Sequence, residues 1–90
     1  MLSFIIPTLN EEKHVEQLLK CLTKQIDKND EVIVVDSFSK DKTVDVAKKY
    51  HAKVVLRPKQ GVGLARTEGA KEAKNDIIVF LDCDCILAHD

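Results

Sequence analysis

The chain has no tryptophan, one tyrosine and three phenylalanines in 90 residues. It therefore offers almost none of the stacking surfaces on which single-stranded nucleic acids lie. Charge of one sign is missing too. Lys and Arg number 14 against 15 Asp and Glu, for a net charge of −1. Without a basic patch, nucleic acid is not the expected partner. No apolar run exceeds about five residues, far short of the roughly 20 that span a bilayer. Cys21, Cys83 and Cys85 are odd in number and make no extracellular disulfide framework. With three glycines and two prolines there is no linker, repeat or low-complexity stretch. The N-terminus enters a strand at once, without a signal-peptide pattern, so a cytoplasmic location is expected. What is present is ordinary for one soluble globular domain over residues 1–90: 44% hydrophobic and 32% charged.

The order of apolar runs is a strict alternation. Leu2 to Pro7 reads as a strand that Pro7 should end, since proline cannot donate to a central ladder. Asn10 is a good helix N-cap, with Glu11 and Glu12 at the positive end of the helix that follows. Val15, Leu18, Leu19, Leu22 and Ile26 recur at helical spacing and predict a helix over 11–25. Cys21 falls on its apolar face as a small core residue. Glu31 to Asp36 is a second strand. Asp41 then caps a helix carrying Val44, Ala47 and Tyr50. Lys53 to Leu56 is a third strand, 57–63 a loop, Leu64 to Ala73 a third helix, and Asp76 to Asp82 a fourth strand. This alternation predicts an α/β fold, an open parallel sheet of about four strands in the order 3-2-1-4. Because the strands lack a polar face, helices should cover both faces of the sheet.

In that order the chain reverses between strands one and four, and a crevice opens at the strand C-termini. Three polar clusters converge there: Pro7-Thr8, Asp36-Ser37 and Asp82-Cys83-Asp84. The last ends the run Ile77-Ile78-Val79-Phe80-Leu81. Asp82 and Asp84 share one face of an extended segment, and their hard oxygens suit Mg2+ or Mn2+ holding a diphosphate. Cys83 and Cys85 point to the other face, so a zinc site with His89 is not expected. Asp36 can accept only, from a nucleobase imide or a ribose hydroxyl; for Asp41 helix capping is preferred. Thr8 offers its backbone and hydroxyl to a ligand. Gly61-Val62-Gly63 is neither a dinucleotide fingerprint nor a Walker motif. Arg66, in the first turn of the third helix, can pair with a diphosphate.

With these segments in order, the chain closely resembles glycosyltransferase family 2, the nucleotide-sugar transferases of GT-A fold. The matching residues are Phe4-Ile5-Ile6-Pro7-Thr8-Leu9-Asn10-Glu11-Glu12, then Glu31 to Ser37 with Ser39, Asp41 and Thr43. Gly61, Gly63, Ala65 and Arg66 follow, and Phe80-Leu81-Asp82-Cys83-Asp84 completes the set. The resemblance implies a nucleotide-diphosphate-sugar donor, UDP- or GDP-linked, with a divalent cation, Mn2+ or Mg2+, at the Asp-x-Asp motif. By position, Asp36 would contact the nucleoside, Asp82 the ribose or donor sugar, and Asp84, with Asp82, the metal. Pro7, Thr8, Asn10, Glu11, Ser37, Arg66 and Cys83 complete the candidate nucleotide-sugar-binding set. Ser37 stands where many members carry a second Asp, and Phe38 and Lys42 replace common glycines.

Family members continue beyond the Asp-x-Asp motif with an acceptor-binding half that carries the general base. No residue here is assigned to that role, so the acceptor is unspecified and the short chain is expected to be inactive alone. In a longer protein it would lie in the cytoplasm or peripheral to a membrane. The apolar fourth strand, left at a sheet edge, predicts a homo-oligomer. Two rivals stand beside this reading. One is a haloacid-dehalogenase-like phosphatase, with Asp82 as nucleophile and Asp84 as acid/base; the other is a non-catalytic nucleotide-binding or assembly fragment.

Overall fold

The computed structural model describes residues 1–58 and 62–82, the latter without the side chains of 62–66. Its elements run β1 (Leu2–Thr8), α1 (Glu12–Leu22), β2 (Glu31–Asp36), α2 (Thr43–Lys49), β3 (Lys53–Leu56), α3 (Val62–Glu72) and β4 (Ile77–Phe80). The strands form one parallel sheet in the order β3-β2-β1-β4.

Alternation along the two central strands assigns each side chain to a face. Phe4, Ile6, Val32 and Val34 pack with Val15, Leu18, Leu19 and Leu22 of α1 and with Ala47 of α2. Ile5, Ile33 and Val35 face the other way, with Val55, Ala73 and Ile78. That second layer lies under α3, which approaches very closely. A Cβ added at Gly69 would collide with Ile5 Cγ2 and meet Val35 Cγ2 at 3.1 Å. Glycine is required there for space, so that α3 can lie directly on β1 and β2.

Several boundaries differ from expectation. β1 runs through Pro7 to Thr8, with Pro7 opposite Val35 and Thr8 opposite Asp36. Thr8 O faces β2, where it accepts from Ser37 N–H, while Ile5 O faces β4, where it accepts from Leu81 N–H. Pro7, two residues beyond Ile5, therefore turns its nitrogen toward β4. The missing donor leaves the β1–β2 ladder intact, and the register with β4 ends at Ile5 opposite Phe80. β4 is accordingly shorter than 76–82. α1 stops at Leu22 instead of reaching 25, because the Thr23 hydroxyl donates to Leu19 O and the next amides bond three residues back. Ile26 still packs against the core. Cys21 is half-buried and lies outside the core cluster. α3 begins at Val62, two residues earlier than expected.

Among the described residues β4 is an edge strand, with Ile77 58% exposed. No helix among them is long and apolar enough to cross a membrane.

Candidate functional site

The C-terminal rim of the sheet is formed by Thr8 at the end of β1, Asp36 at the end of β2 and Asp82 just beyond β4. Thr8 and Asp36 are buried partners in register. The Asp36 carboxylate collects three donors. Oδ1 accepts from Thr8 Oγ1 at 2.6 Å and from the Ser39 hydroxyl, and Oδ2 accepts from Ser39 N–H at 2.7 Å. A carboxylate has about four lone-pair positions, so one remains, on Oδ2. Asp36 is 0% exposed, and a ligand reaches that oxygen only if the loop over it yields. Much of this side chain therefore serves the loop-tying role that the sequence also allowed.

The β1–α1 and β2–α2 loops are laced together by their own side chains. Asn10 N–H donates to Ser39 Oγ at 2.7 Å, and Asn10 Oδ1 accepts from Lys40 N–H at 2.8 Å. Asn10 is thus not the cap of α1. The cap position is Glu11, whose side chain makes no capping bond. Asn10 adopts a left-handed φ of 53°, a conformation asparagine tolerates, and its carboxamide turns across to the neighbouring loop. The opening amides of α1 are served from that loop instead. Glu11 N–H donates to Thr43 Oγ1 at 2.9 Å and Glu12 N–H to Asp41 Oδ2 at 3.2 Å. In return Glu12 Oε1 accepts from Lys42 N–H at 3.2 Å. Asp41 also accepts from the hydroxyl and N–H of Thr43, so it serves the first amide of α2 from one residue outside the cap position, which is Lys42 and not the expected Asp41. The Thr43 hydroxyl, and behind it the amides of Thr43 and Glu12, hold the Asp41 carboxyl below its ordinary value against the opposing effect of desolvation.

The remaining candidates divide between this lattice and its margins. Pro7 and Ser37 are half-buried where the two strands enter it. Asn10 and Glu11 line an open cleft of about 340 Å3 with Glu12, Lys13, His14 and Asp41. Glu11 is paired there with His14, at 3.1 Å. Asp82 lies apart. Leu81 N–H is held by Ile5 O at 3.0 Å, which fixes the approach to the rim, but Asp82 itself is exposed. The backbone of Arg66 lies in α3, and its side chain falls outside the described residues. Gly61, Cys83, Asp84, Cys85 and His89 also fall outside them.

Among the described residues no three His, Cys, Asp or Glu side chains group as a metal site. A Mg2+-like ion binds through one or two carboxylates plus phosphate oxygens instead of an all-protein cage. Asp82 is a hard donor not consumed by the loop lattice and fits as one such ligand.

Sequence reasoning gave no site role to Thr43, which is fully buried between the loops, nor to Arg57. Arg57 N–H donates to Asp36 O at 3.0 Å, and its Nε meets Glu68 Oε2 at 3.0 Å, tying the end of β3 to α3. The spacing Asp36, Ser39, Asp41, Thr43 after a strand was the available signal for the lattice, as short polar side chains bond to nearby loop backbone.

Comparison with known proteins agrees with the fold. The profile of glycosyl transferase family 2 matches residues 3–90. The chain is 38% identical over 90 residues to poly(ribitol-phosphate) beta-N-acetylglucosaminyltransferase TarS of Staphylococcus aureus, covering 91% of this chain and 16% of that protein. Glucosyl-3-phosphoglycerate synthase of Mycobacterium tuberculosis, solved with Mn2+, UDP and glucosyl-3-phosphoglycerate, superposes with a TM-score of 0.82 at 33% identity. The superposition covers 96% of this chain and 34% of that one. The mannosyltransferase PcManGT of Pyrobaculum calidifontis, solved with GDP-Man and Mn2+, gives 0.80 at 27% identity, covering 92% and 27%. The chain thus spans well under half the length of these proteins. The match over residues 3–90 does not favour the phosphatase alternative.

Proposed function

The chain belongs to glycosyl transferase family 2, and from that premise we propose that it is the donor-binding half of a transferase. It binds a UDP- or GDP-linked sugar and a divalent cation, Mn2+ or Mg2+, for transfer to an acceptor. The observation that carries this reading is the uneven rim. Thr8 and Asp36 are locked into the loops of β1 and β2, whereas Asp82 stands exposed on the other side of β1. The crevice between them is the switch point of a 3-2-1-4 sheet, where open α/β sheets take ligands.

In this reading the nucleoside lies over the laced loops. The groups of Thr8 orient it, and the remaining lone pair of Asp36 Oδ2 takes a base imide or ribose hydroxyl once the loop over that oxygen yields. Pro7, Asn10, Glu11 and Ser37 shape the loops around it. Asp82 meets the ribose or donor sugar, Asp84 and Asp82 hold the cation, and Arg66 and Cys83 lie beside the diphosphate. When bound, the cation neutralises charge that builds on the leaving diphosphate. No residue of the chain is given the role of general base, so transfer by this chain alone is expected to be negligible. The reading also includes a cytoplasmic location and a homo-oligomer through the β4 edge, supported by the exposure of Ile77. Sedimentation that finds only monomer counts against the oligomer.

Calorimetric titration with UDP and GDP, with and without Mn2+, tests the function. Metal-dependent binding that Asp84→Asn abolishes is the expected result. Failure of both nucleotides to bind would sink the proposal, and binding indifferent to metal would remove the cation from it.

A further inference from the structure

Of the four aromatic residues, Phe4 lies in the core, Tyr50 closes α2, and Phe80 lies in β4 opposite Ile5. Phe38 alone sits in a rim loop. It carries two costs. Its φ of 59° puts a side chain with a Cβ in the left-handed region, which such residues rarely occupy. The residue is 57% exposed, so it contributes little to any core. A lone exposed apolar side chain is ordinary, but one held in an unfavourable backbone conformation is not. The neighbours enforce it. Ser37 N–H is fixed on Thr8 O, and Ser39 N–H on Asp36 Oδ2. Backbone outliers that survive because flanking bonds dictate them concentrate at ligand clamps.

We propose that the Phe38 ring is the surface on which the base of the nucleoside diphosphate stacks, a residue-level inference that rests on the nucleotide-binding reading above. Position selects the base over the other parts of the ligand. Phe38 follows β2, whereas Asp82 follows β4 on the far side of β1. Two strand spacings separate those ends, about 10 Å, comparable with the span from a base to its diphosphate. With the phosphates drawn toward Asp82, the base falls on the β2 side. Every base has a π-face, so stacking on a phenyl ring gives affinity without choosing between uracil and guanine.

The test uses Phe38→Gly, Phe38→Leu and Phe38→Trp. Phe38→Trp gives the chain its first tryptophan and hence an unambiguous fluorescent reporter. Mg2+-UDP should quench the introduced indole, and Mg2+-pyrophosphate should leave it unchanged. By calorimetry Phe38→Gly should bind Mg2+-UDP about tenfold more weakly without a fall in melting temperature, since glycine accepts the backbone conformation freely. Phe38→Leu should also lose affinity, because an aliphatic side chain lacks the ring. Equal affinity of all three variants and the parent, or equal quenching by UDP and pyrophosphate, would overturn the inference while leaving donor binding standing. So would a loss of affinity that merely tracks a lower melting temperature. A parent chain that binds no nucleotide would overturn both together.

Discussion

The two ends of the sheet solve the same local problem in different ways. At the N-terminal end Leu2 N–H is bound by Asp30 Oδ1 at 2.8 Å, and Glu31 Oε2 takes the Ser3 hydroxyl at 2.6 Å and the Lys74 amide. Asn75 spans the gap, donating from Nδ2 to Leu2 O at 3.0 Å and to Asn29 O at 3.1 Å. Segments from β1, β2 and the entry to β4 are therefore all stitched into one end. At the C-terminal end, among the described residues, side chains lace the loops of β1 and β2 through Asp36, Ser39, Asn10, Asp41 and Thr43, and the Arg57 amide ties the end of β3 to Asp36 O. Among the described residues, Asp82, just beyond β4, takes no part in this lacing. A rim closed across all three strands holds the fold together; a rim closed on two and open toward the third holds a crevice. The asymmetry directs the search for function to the space between the laced loops and Asp82, and substitutions at either end test it.

The largest effect is expected from Asp36→Ala. It removes the acceptor for three donors, two of them from Ser39, in a site without solvent access. Buried donors stripped of a charged partner cost about 3 kcal/mol in total. Urea unfolding should show a loss of that order. A loss no larger than that of the Glu31 variant below would mean that burial does not distinguish the two ends.

Glu31→Gln should cost less, about 1 kcal/mol, because the side chain is only partly buried and its bonds are partly replaceable by an amide oxygen. Its particular signature is in pH. Desolvation pushes the Glu31 carboxyl up, but the Ser3 hydroxyl and the Lys74 amide outweigh it and hold the group below its ordinary 4.5. A carboxyl depressed in the folded state adds stability in full above its unfolded value. That stability is lost as pH falls from there through the lower folded value. The neighbouring Asp30, depressed by the Asp27 and Leu2 amides, acts in the same direction. Stability of the parent should therefore fall as pH drops below about 4.5, and Glu31→Gln should flatten part of that slope. An unchanged slope would show that the N-terminal stitching is not electrostatic.

Not all of this was legible in the sequence. Strand order, the assignment of alternate residues to opposite faces, and the bounds of β2 and β3 follow from runs of Val and Ile and from the βαβ alternation, and the structure agrees with them. The helix start at Asn10 did not follow. Local pattern identifies a capping residue by its neighbours in sequence, whereas Asn10 bonds to Lys40, 30 residues away. The reach of β1 through Pro7 depended on which neighbour the proline nitrogen faces, a property of sheet order and not of composition. At the site, the places of Thr8, Asp36 and Asp82 at the C-terminal ends of their strands were readable. The burial of Asp36 under its own loop was not, because it depends on Ser39 and Thr8 closing over the carboxylate in three dimensions. Phe38 was marked only by the resemblance, in which it replaces a common glycine; its positive φ leaves no trace in hydrophobic periodicity.

Asp82 is expected to matter least for stability. The side chain is exposed and belongs to neither lattice. The backbone that delivers it is fixed one residue earlier, where Leu81 N–H meets Ile5 O. Asp82→Asn keeps the shape of the side chain and should change unfolding free energy by less than about 0.5 kcal/mol, as surface substitutions do. Its effect should appear only in the presence of ligand. Calorimetry should then show weaker metal-dependent binding of UDP, because an amide is a poorer ligand than a carboxylate for a hard cation. A stability loss comparable with that of Asp36→Ala would mean that Asp82 is part of the laced rim after all. An unaltered metal-dependent affinity would place the cation elsewhere. The combination expected, stability preserved and ligand binding weakened, is the reverse of what Glu31→Gln should give at the closed end, and measuring both variants in one series separates a structural carboxylate from a functional one.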